Sequence, residues 1–443
     1  MFGGQSFCSP PLALYRVLIA ECPVLFLFLL AALSFAIWIY LLAARGGFWH
    51  LRPFDDDLAP HTPPHDWPRI VAFIPARNEA AHIAETIASL LRQDYPGEFS
   101  IIFVDDHSED ATAQQACRAA QETNATSRIA VISASDLPPG WTGKLWALNE
   151  GVAFLNLKGG ETSLSSRAAR PKVPNLSEGI CFSSATSKQP ASPAYLWFTD
   201  ADIVHAPDTL RRLVSRAEQH RLDLTSLMVL LRAKTFPERA LIPAFLFFFL
   251  KLYPPSWIAN HTAHTAGAAG GCILLRREAL DRIGGFSAIR GEVIDDCALA
   301  RAVKRCGGRI WMGLTRASVS LRAYTTFAGP RDMIARTAFT QLHYSASYLL
   351  AALVGLALTY IAPLALLFAY NNAMRATALA TWLIMSLLFL PTVRFYRLSP
   401  LWAPLLPLTA AFYAYATFLS AARYYLNRGA QWKGRSQAPA KTR

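Results

Sequence analysis

Charge is scarce in this chain. Only 16% of its 443 residues are Asp, Glu, Lys or Arg, against 53% hydrophobic, which excludes an ordinary soluble domain and points to a membrane. Paired cysteines are lacking too. Cys8, Cys22, Cys117, Cys181, Cys272, Cys297 and Cys306 form no CxxC pair and no metal-ligand spacing with histidine, which fits a reduced, cytoplasmic domain. Acidic residues number 30 against 43 basic ones, yet the net charge of +13 is spread through loops, tail and membrane flanks with no nucleic-acid motif beside it. It reads as membrane-surface and phosphate-binding charge, with no nucleic acid as partner.

From Cys22 to Ala43 no charge occurs, a run long enough to cross a hydrocarbon core of roughly 30 Å as a helix. A cleaved leader would stop after about 7–15 apolar residues, whereas this run continues through Trp38 and Tyr40 to Arg45. Residues 1–48 are therefore expected to form an uncleaved anchor. Arg45, Arg52 and Arg69 follow it and only Arg16, offset by Glu21, precedes it, so the next domain is expected in the cytoplasm.

Three further apolar segments, 344–370, 376–393 and 401–422, make a C-terminal membrane region over 344–422 ahead of a basic tail, 423–443. Basic residues favour the cytoplasm, yet one span before the domain and three after it would put that tail outside. Either one segment is re-entrant or fewer of them cross; Pro363, Pro404 and Pro407 leave both open.

The polar region 69–340 alternates strand and helix patterns. Buried strands are expected at Ile70–Ile74, Ser100–Val104, Ile129–Ile132 and Tyr195–Thr199, with helical spacing through Ile83, Ile87 and Leu91. The expected fold class is α/β with a parallel sheet, which binds ligands at the carboxyl ends of its strands. Residues 157–193 are rich in Ser, Ala and Pro and read as a flexible insertion. Within 240–258, the run Ala240–Leu250 is apolar and aromatic but too short to span, and Tyr253, Pro254, Pro255 and Trp257 follow it; a helix at the membrane interface is expected, with a buried core helix as the alternative.

Acidic residues gather where these strands end. Asp200 and Asp202 follow Tyr195–Thr199 with one residue between them, a spacing that lets both carboxylates reach one hard cation completed by phosphate oxygens and water, unless they merely occupy a solvated turn. Asp105, Asp106 and Asp110 follow the second strand; Ser108 or Asp110 could simply cap the next helix, while Asp106 could accept the imide N–H of a uracil ring. Lys144 follows Gly143 and is able to pair with a diphosphate. Gly267–Gly271 permits close backbone approach to a sugar or acceptor. Asp295 and Asp296 open a helical pattern, where a carboxylate is usually a cap but could also serve as a general base.

In this order and spacing, over 69–344, these motifs resemble the family 2 glycosyltransferases, whose catalytic domain has the nucleotide-diphospho-sugar fold called GT-A. The resemblance implies that Pro75, Ala76, Glu79 and Asp106 contact the nucleoside and that Lys144 and Asp200 lie at the diphosphate of a donor, a UDP-sugar by preference. It implies that Asp200 and Asp202 bind Mg²⁺ or Mn²⁺, and that Asp296, with Asp295 beside it, is the base of the EDxxL motif in an inverting transfer. Asp295 stands where that motif usually carries Glu. Gln341–Ser345 lacks the Arg and Trp of the QxxRW motif, which argues against a processive polysaccharide synthase.

The flanking membrane segments, the stretches from Ile294 and Arg336, and Trp432–Arg435 look like the subgroup called hopene-associated glycosyltransferases. That likeness implies a hopanoid or related polyprenoid lipid as acceptor in a bacterial inner membrane. A polysaccharide synthase or polyprenyl-phosphate sugar transferase would use the same chemistry. In a non-catalytic transporter or scaffold the apolar segments would be the active part; intramembrane charges mark transport paths, and these spans hold almost none.

Overall fold

A computed structural model describes residues 12–56, 64–158, 192–426, 431–432 and 435–436. Most of the expected insertion and of the basic tail lies outside the described residues. The charge-free run forms the end of helix α1 (Leu12–Ala43), after which Gly46 and Gly47, both at positive φ, turn the chain. The polar region opens with β1 (Ile70–Ala76), buried at every position as a strand covered on both faces must be. There follow α2 (Ile83–Leu91), β2 (Phe99–Asp105), α3 (Thr112–Glu122), β3 (Ile129–Ser133), α4 (Gly143–Lys158) and β4 (Tyr195–Phe198). Then come β5 (Ile203–His205), α5 (Thr209–Gln219) and β6 (Leu224–Leu230).

The aromatic segment becomes α6 (Phe236–Leu252), opened by a capping box of Thr235 and Glu238, and continues as the short α7 (Pro255–Ala259). β7 (Ile273–Arg276), α8 (Arg277–Arg282), α9 (Asp295–Arg305), β8 (Ile310–Ser320) and α10 (Ala328–Gln341) follow. Beyond them lie α11 (Ala346–Leu356), a π-helical turn at Ala357–Ile361, α12 (Ala362–Leu366), α13 (Asn372–Phe395) and α14 (Leu406–Tyr425). Among the described residues, five helical stretches are long and apolar enough to cross a membrane: Val24–Ala43, Phe236–Ala259, Ala346–Leu366, Asn372–Phe395 and Pro400–Tyr425. The second outruns the limits expected from its apolar run, because the capping box starts the helix at Phe236, four residues before Ala240.

One eight-stranded sheet carries the fold, in the order β3-β2-β1-β4-β7-β6-β8-β5. The strands read from the sequence, β1 to β4, are mutually parallel. The expectation of a wholly parallel sheet is corrected: β7 runs antiparallel to both β4 and β6, and β5 antiparallel to β8. Hydrophobic runs report that a strand is buried and carry no sign of its direction, so β7, entered from a glycine turn, could not be oriented from sequence.

Alternation along β1 sends Ile70, Ala72 and Ile74 to one face and Val71 and Phe73 to the other. The first face packs on α2, α3 and α5. The second belongs to a core that runs without a break into the membrane-type helices, through Phe247, Phe389 and Tyr413 to Trp38. Trp38 is fully buried, donates its indole N–H to the Thr359 carbonyl at 2.8 Å, and meets Tyr360 edge-on at 5.4 Å. The sheet and the apolar helices thus share one packed core.

Candidate active site

β1 connects to β2 on one side and pairs with β4 on the other, so the chain changes direction between β1 and β4; such a switch point leaves a crevice beyond the strand ends. Pro75 from β1 and Asp200 after β4 line that crevice. The turn carrying Asp200 and Asp202 is held from three sides. Thr86 Oγ1 donates to the Ala201 carbonyl at 2.9 Å, Leu321 N to the Asp202 carbonyl at 2.8 Å, and Thr199 Oγ1 to the Gly271 carbonyl at 3.0 Å. His205 lies 2.8 Å from Thr199 Oγ1 and 2.9 Å from Ser318 Oγ; burial pushes its pKa down to about 3, so it is a neutral hydrogen-bonding post.

Two cations bridge the carboxylates. Lys144 Nζ lies 2.8 Å from Asp200 Oδ1 and 3.2 Å from Asp295 Oδ2. Burial works against the Lys144 charge, but Asp200 and Asp295 outweigh it and hold the ammonium protonated. Arg322, just past β8, donates from Nε to Asp202 Oδ2 at 2.9 Å and from Nη2 to Glu79 Oε1 at 2.5 Å. Burial raises the Asp202 pKa, with Arg322 opposing it.

Asp296 sits in the first turn of α9, and both of its oxygens accept backbone N–H groups, Oδ2 from Gly270 at 2.8 Å and Oδ1 from Cys297 at 2.7 Å. Gly270 eases this approach: a Cβ there would lie 3.1 Å from Lys144 Nζ and 3.4 Å from Asp296 Oδ2, close enough that the lysine would have to give way. Burial, and next the charge of Asp295, push the Asp296 pKa up to about 6, while Lys144 and the two amides pull it down. A carboxylate poised there is suited to take a proton near neutral pH. Where Asp296 is the base, it must be ionised, so kcat/KM is expected to fall tenfold per pH unit below about pH 6 and to level off above it; a pH–rate profile checks this limb.

The structure brings Pro75, Glu79, Lys144, Asp200, Asp202, Asp295 and Asp296 into the wall of one cavity, but not Ala76 or Asp106. Asp106 is fully buried behind Arg77, whose Nη1 donates to its carbonyl at 2.7 Å. Neither Ser108 nor Asp110 is the N-cap of α3, a position Ala111 takes without a side-chain bond; Asp110 serves the loops instead, its carboxylate accepting from Thr112 N at 3.1 Å and from Ala80 N at 3.2 Å.

Sequence reasoning missed Arg322 and Gly270 as partners of the acidic residues. Arg322 lies 120 residues from Asp202, and no local pattern marks it. Arg322→Gln is expected to leave Glu79 and Asp202 repelling each other and to raise the donor KM by about tenfold with a smaller change in kcat, read from initial rates against donor concentration.

A mixed sheet with clustered carboxylates and cations at its switch point places a polar ligand site at that crevice. The chain belongs to the family described as glycosyltransferase like family 2, whose model matches residues 68–340. The matched span holds the mixed α/β sheet and every residue of the acidic cluster described above.

Among solved structures it is 20% identical to the mannosyltransferase PcManGT from Pyrobaculum calidifontis in complex with GDP-Man and Mn²⁺, over 89% of this chain and 99% of that one, with a TM-score of 0.48. It is 15% identical to S. aureus TarS, over 80% and 55% of the chains, with a TM-score of 0.37. It is 18% identical to glucosyl-3-phosphoglycerate synthase from Mycobacterium tuberculosis in complex with phosphoglyceric acid, over 60% and 78%, with a TM-score of 0.34. No curated protein matches the sequence.

Proposed function

We propose that this enzyme is a membrane-bound, inverting glycosyltransferase that moves a sugar from a UDP-sugar onto a hydroxyl of a lipid delivered by the bilayer. One observation carries this reading. A single cavity of about 880 Å³ runs from Pro75, Asp200 and Asp296 to Phe248, Leu356 and Tyr413 on the membrane-type helices. Its polar end suits a nucleotide diphosphate and its apolar end a lipid tail.

Asp296 takes the acceptor's proton, and Lys144 and Arg322 face the leaving diphosphate. Asp200 and Asp202 would hold a hard divalent cation, Mg²⁺ or Mn²⁺, through carboxylate oxygens that now pair with Lys144 and Arg322, with phosphate oxygens of the donor completing the site. Such an ion would neutralise charge on the leaving diphosphate.

The domain division 1–48, 69–340 and 344–422, with the catalytic part in the cytoplasm of a bacterial inner membrane, belongs to the same reading. Helix α6 is tied to the sheet domain at both ends. Tyr324 N donates to Glu238 Oε1 at 2.7 Å at its start, and Lys304 Nζ donates to the Trp257 carbonyl at 3.2 Å beyond its end. A helix anchored to one domain at both ends lies along the membrane surface instead of crossing it, which supports an interfacial segment at the cavity mouth. Phe249→Glu is expected to reduce transfer to lipid by about tenfold or more while donor hydrolysis changes little; equal losses in both assays would remove the lip.

The subgroup likeness favours a hopanoid or related polyprenoid acceptor. The missing Arg and Trp of the QxxRW motif favour a non-processive transfer; at that position Gln341 Oε1 accepts from Tyr253 Oη at 3.0 Å in the cavity wall.

The deciding experiment scans nucleotide sugars with the detergent-solubilised enzyme, Mn²⁺ or Mg²⁺ and a bacterial lipid extract, with Asp202→Asn as control. Metal-dependent release of one nucleotide with a sugar-labelled lipid absent from the control is expected. Nucleotide release with label only in water-soluble product would overturn the lipid acceptor.

A further inference from the structure

The apolar arm of the cavity contains one feature that a purely hydrocarbon ligand does not explain. Lys251, in the last turn of α6, lines the cavity, and its Nζ turns inward to Tyr360 Oη at 2.8 Å. Tyr360 is fully buried, so the ammonium does not extend to water as interfacial lysines ordinarily do. The ammonium also lies 5.1 Å from the ring centre of Phe248 and 4.9 Å from that of Tyr360. Among the described residues no carboxylate lies within ion-pairing distance of it, and Tyr360 is its only hydrogen-bond partner.

A second cation sits close by. Arg45, two residues beyond α1, donates from Nε to the Lys251 carbonyl at 3.0 Å and stacks on Trp257 at 4.6 Å. Arg45 is satisfied by that carbonyl at the half-exposed rim, whereas the Lys251 ammonium, in the apolar arm and without an anion among the described residues, is costly and points to a ligand of opposite sign. Tyr360 is presented by the π-helical turn Ala357–Ile361, a local widening that recurs at functional sites. Arg45 closes the charge-free run of α1, so this pair lies at the level of lipid headgroups.

We infer that Lys251 and Tyr360 form a subsite for the phosphate of a membrane lipid, so that the lipid occupying this arm is held by its phosphate as well as by its tail. The inference rests on the lipid-acceptor reading and narrows it to a lipid bearing phosphate, which selects a phosphorylated polyprenoid over a phosphate-free hopanoid. Lys251 supplies the charge, Tyr360 Oη a directed donor, and Phe248 and Phe249 the walls for the first part of the chain.

The test is a binding competition on the full-length, detergent-solubilised enzyme, without donor sugar. A tail-labelled phosphatidic acid is displaced by short-chain phosphatidic acid, by the diacylglycerol of the same tails, and by inorganic phosphate. Phosphatidic acid is expected to displace the label at concentrations about tenfold or more below those of diacylglycerol, with inorganic phosphate without effect in the millimolar range. Lys251→Met should erase the preference, Lys251→Arg should keep most of it, and Tyr360→Phe should weaken it without unfolding the helices.

Equal potency of the two lipids, or a preference that survives Lys251→Met, overturns the subsite. Displacement by phosphate alone overturns its assignment to a lipid. Because binding is read without turnover, failure of the transfer reaction leaves this result distinguishable.

Discussion

Asp296→Asn is expected to lower kcat for sugar transfer by about 10²–10⁴-fold while leaving donor binding within a few-fold of the parent. Asn keeps the shape of the side chain but offers one acceptor oxygen where Asp296 offers two, so it satisfies either Gly270 N or Cys297 N and confronts the other with an NH₂ group. Local strain at Gly270 is therefore part of the expected effect. Donor titration separates the two consequences: unchanged donor affinity with lost transfer isolates the proton acceptor, whereas affinity and transfer lost together would assign Asp296 to holding the Gly270 loop. Turnover retained by the variant removes Asp296 from the reaction.

Lys144→Met is expected to reduce kcat/KM by about 10²–10³-fold, because in the proposed reaction the cation beside Asp200 and Asp295 also faces the diphosphate. The acid limb of the pH–rate profile should move upward as well. Lys144 holds the Asp296 pKa down, so its removal leaves the neighbouring charge of Asp295 less opposed, and the carboxyl ionises only at higher pH than about 6. Stability should fall by less than the about 3–5 kcal/mol typical of a broken buried pair, since the Asp200 side chain is 38% exposed and partly screened by water. Lys144→Arg is not an equivalent rescue, for a planar fork does not fit where a compact ammonium bridges two carboxylates. A profile whose limb stays in place would separate Lys144 from the titration of Asp296.

Both effects arise from residues that the sequence singled out one at a time. Asp200 and Asp202 were legible because a buried run of aromatic and aliphatic residues ends just before them, and Asp296 because it opens an amphipathic helix. What linked them was not legible. Gly270 reaches Asp296 across 26 residues and Arg322 reaches Asp202 across 120, and neither contact leaves a periodic trace in the chain. Asp106 illustrates the converse. Its place at the end of β2 was read correctly, yet the strand end turned its carboxylate inward, because a position at a strand terminus does not fix which way a side chain points.

The sequence by itself determined the class of the fold, the four parallel strands β1 to β4, the apolar helices that flank the sheet, and the acidic positions at the strand ends. These follow from local regularities, period-two and period-3.6 burial and uninterrupted hydrophobic length, that each segment carries within itself. Only the tertiary structure decided that β7 enters antiparallel, that Lys144 and Arg322 bridge the carboxylates, and that the polar crevice opens into an arm between the membrane-type helices. Those features are made by side chains meeting from distant segments, and the geometry of such meetings is set by how the packed layers settle on one another, which no single stretch of sequence contains.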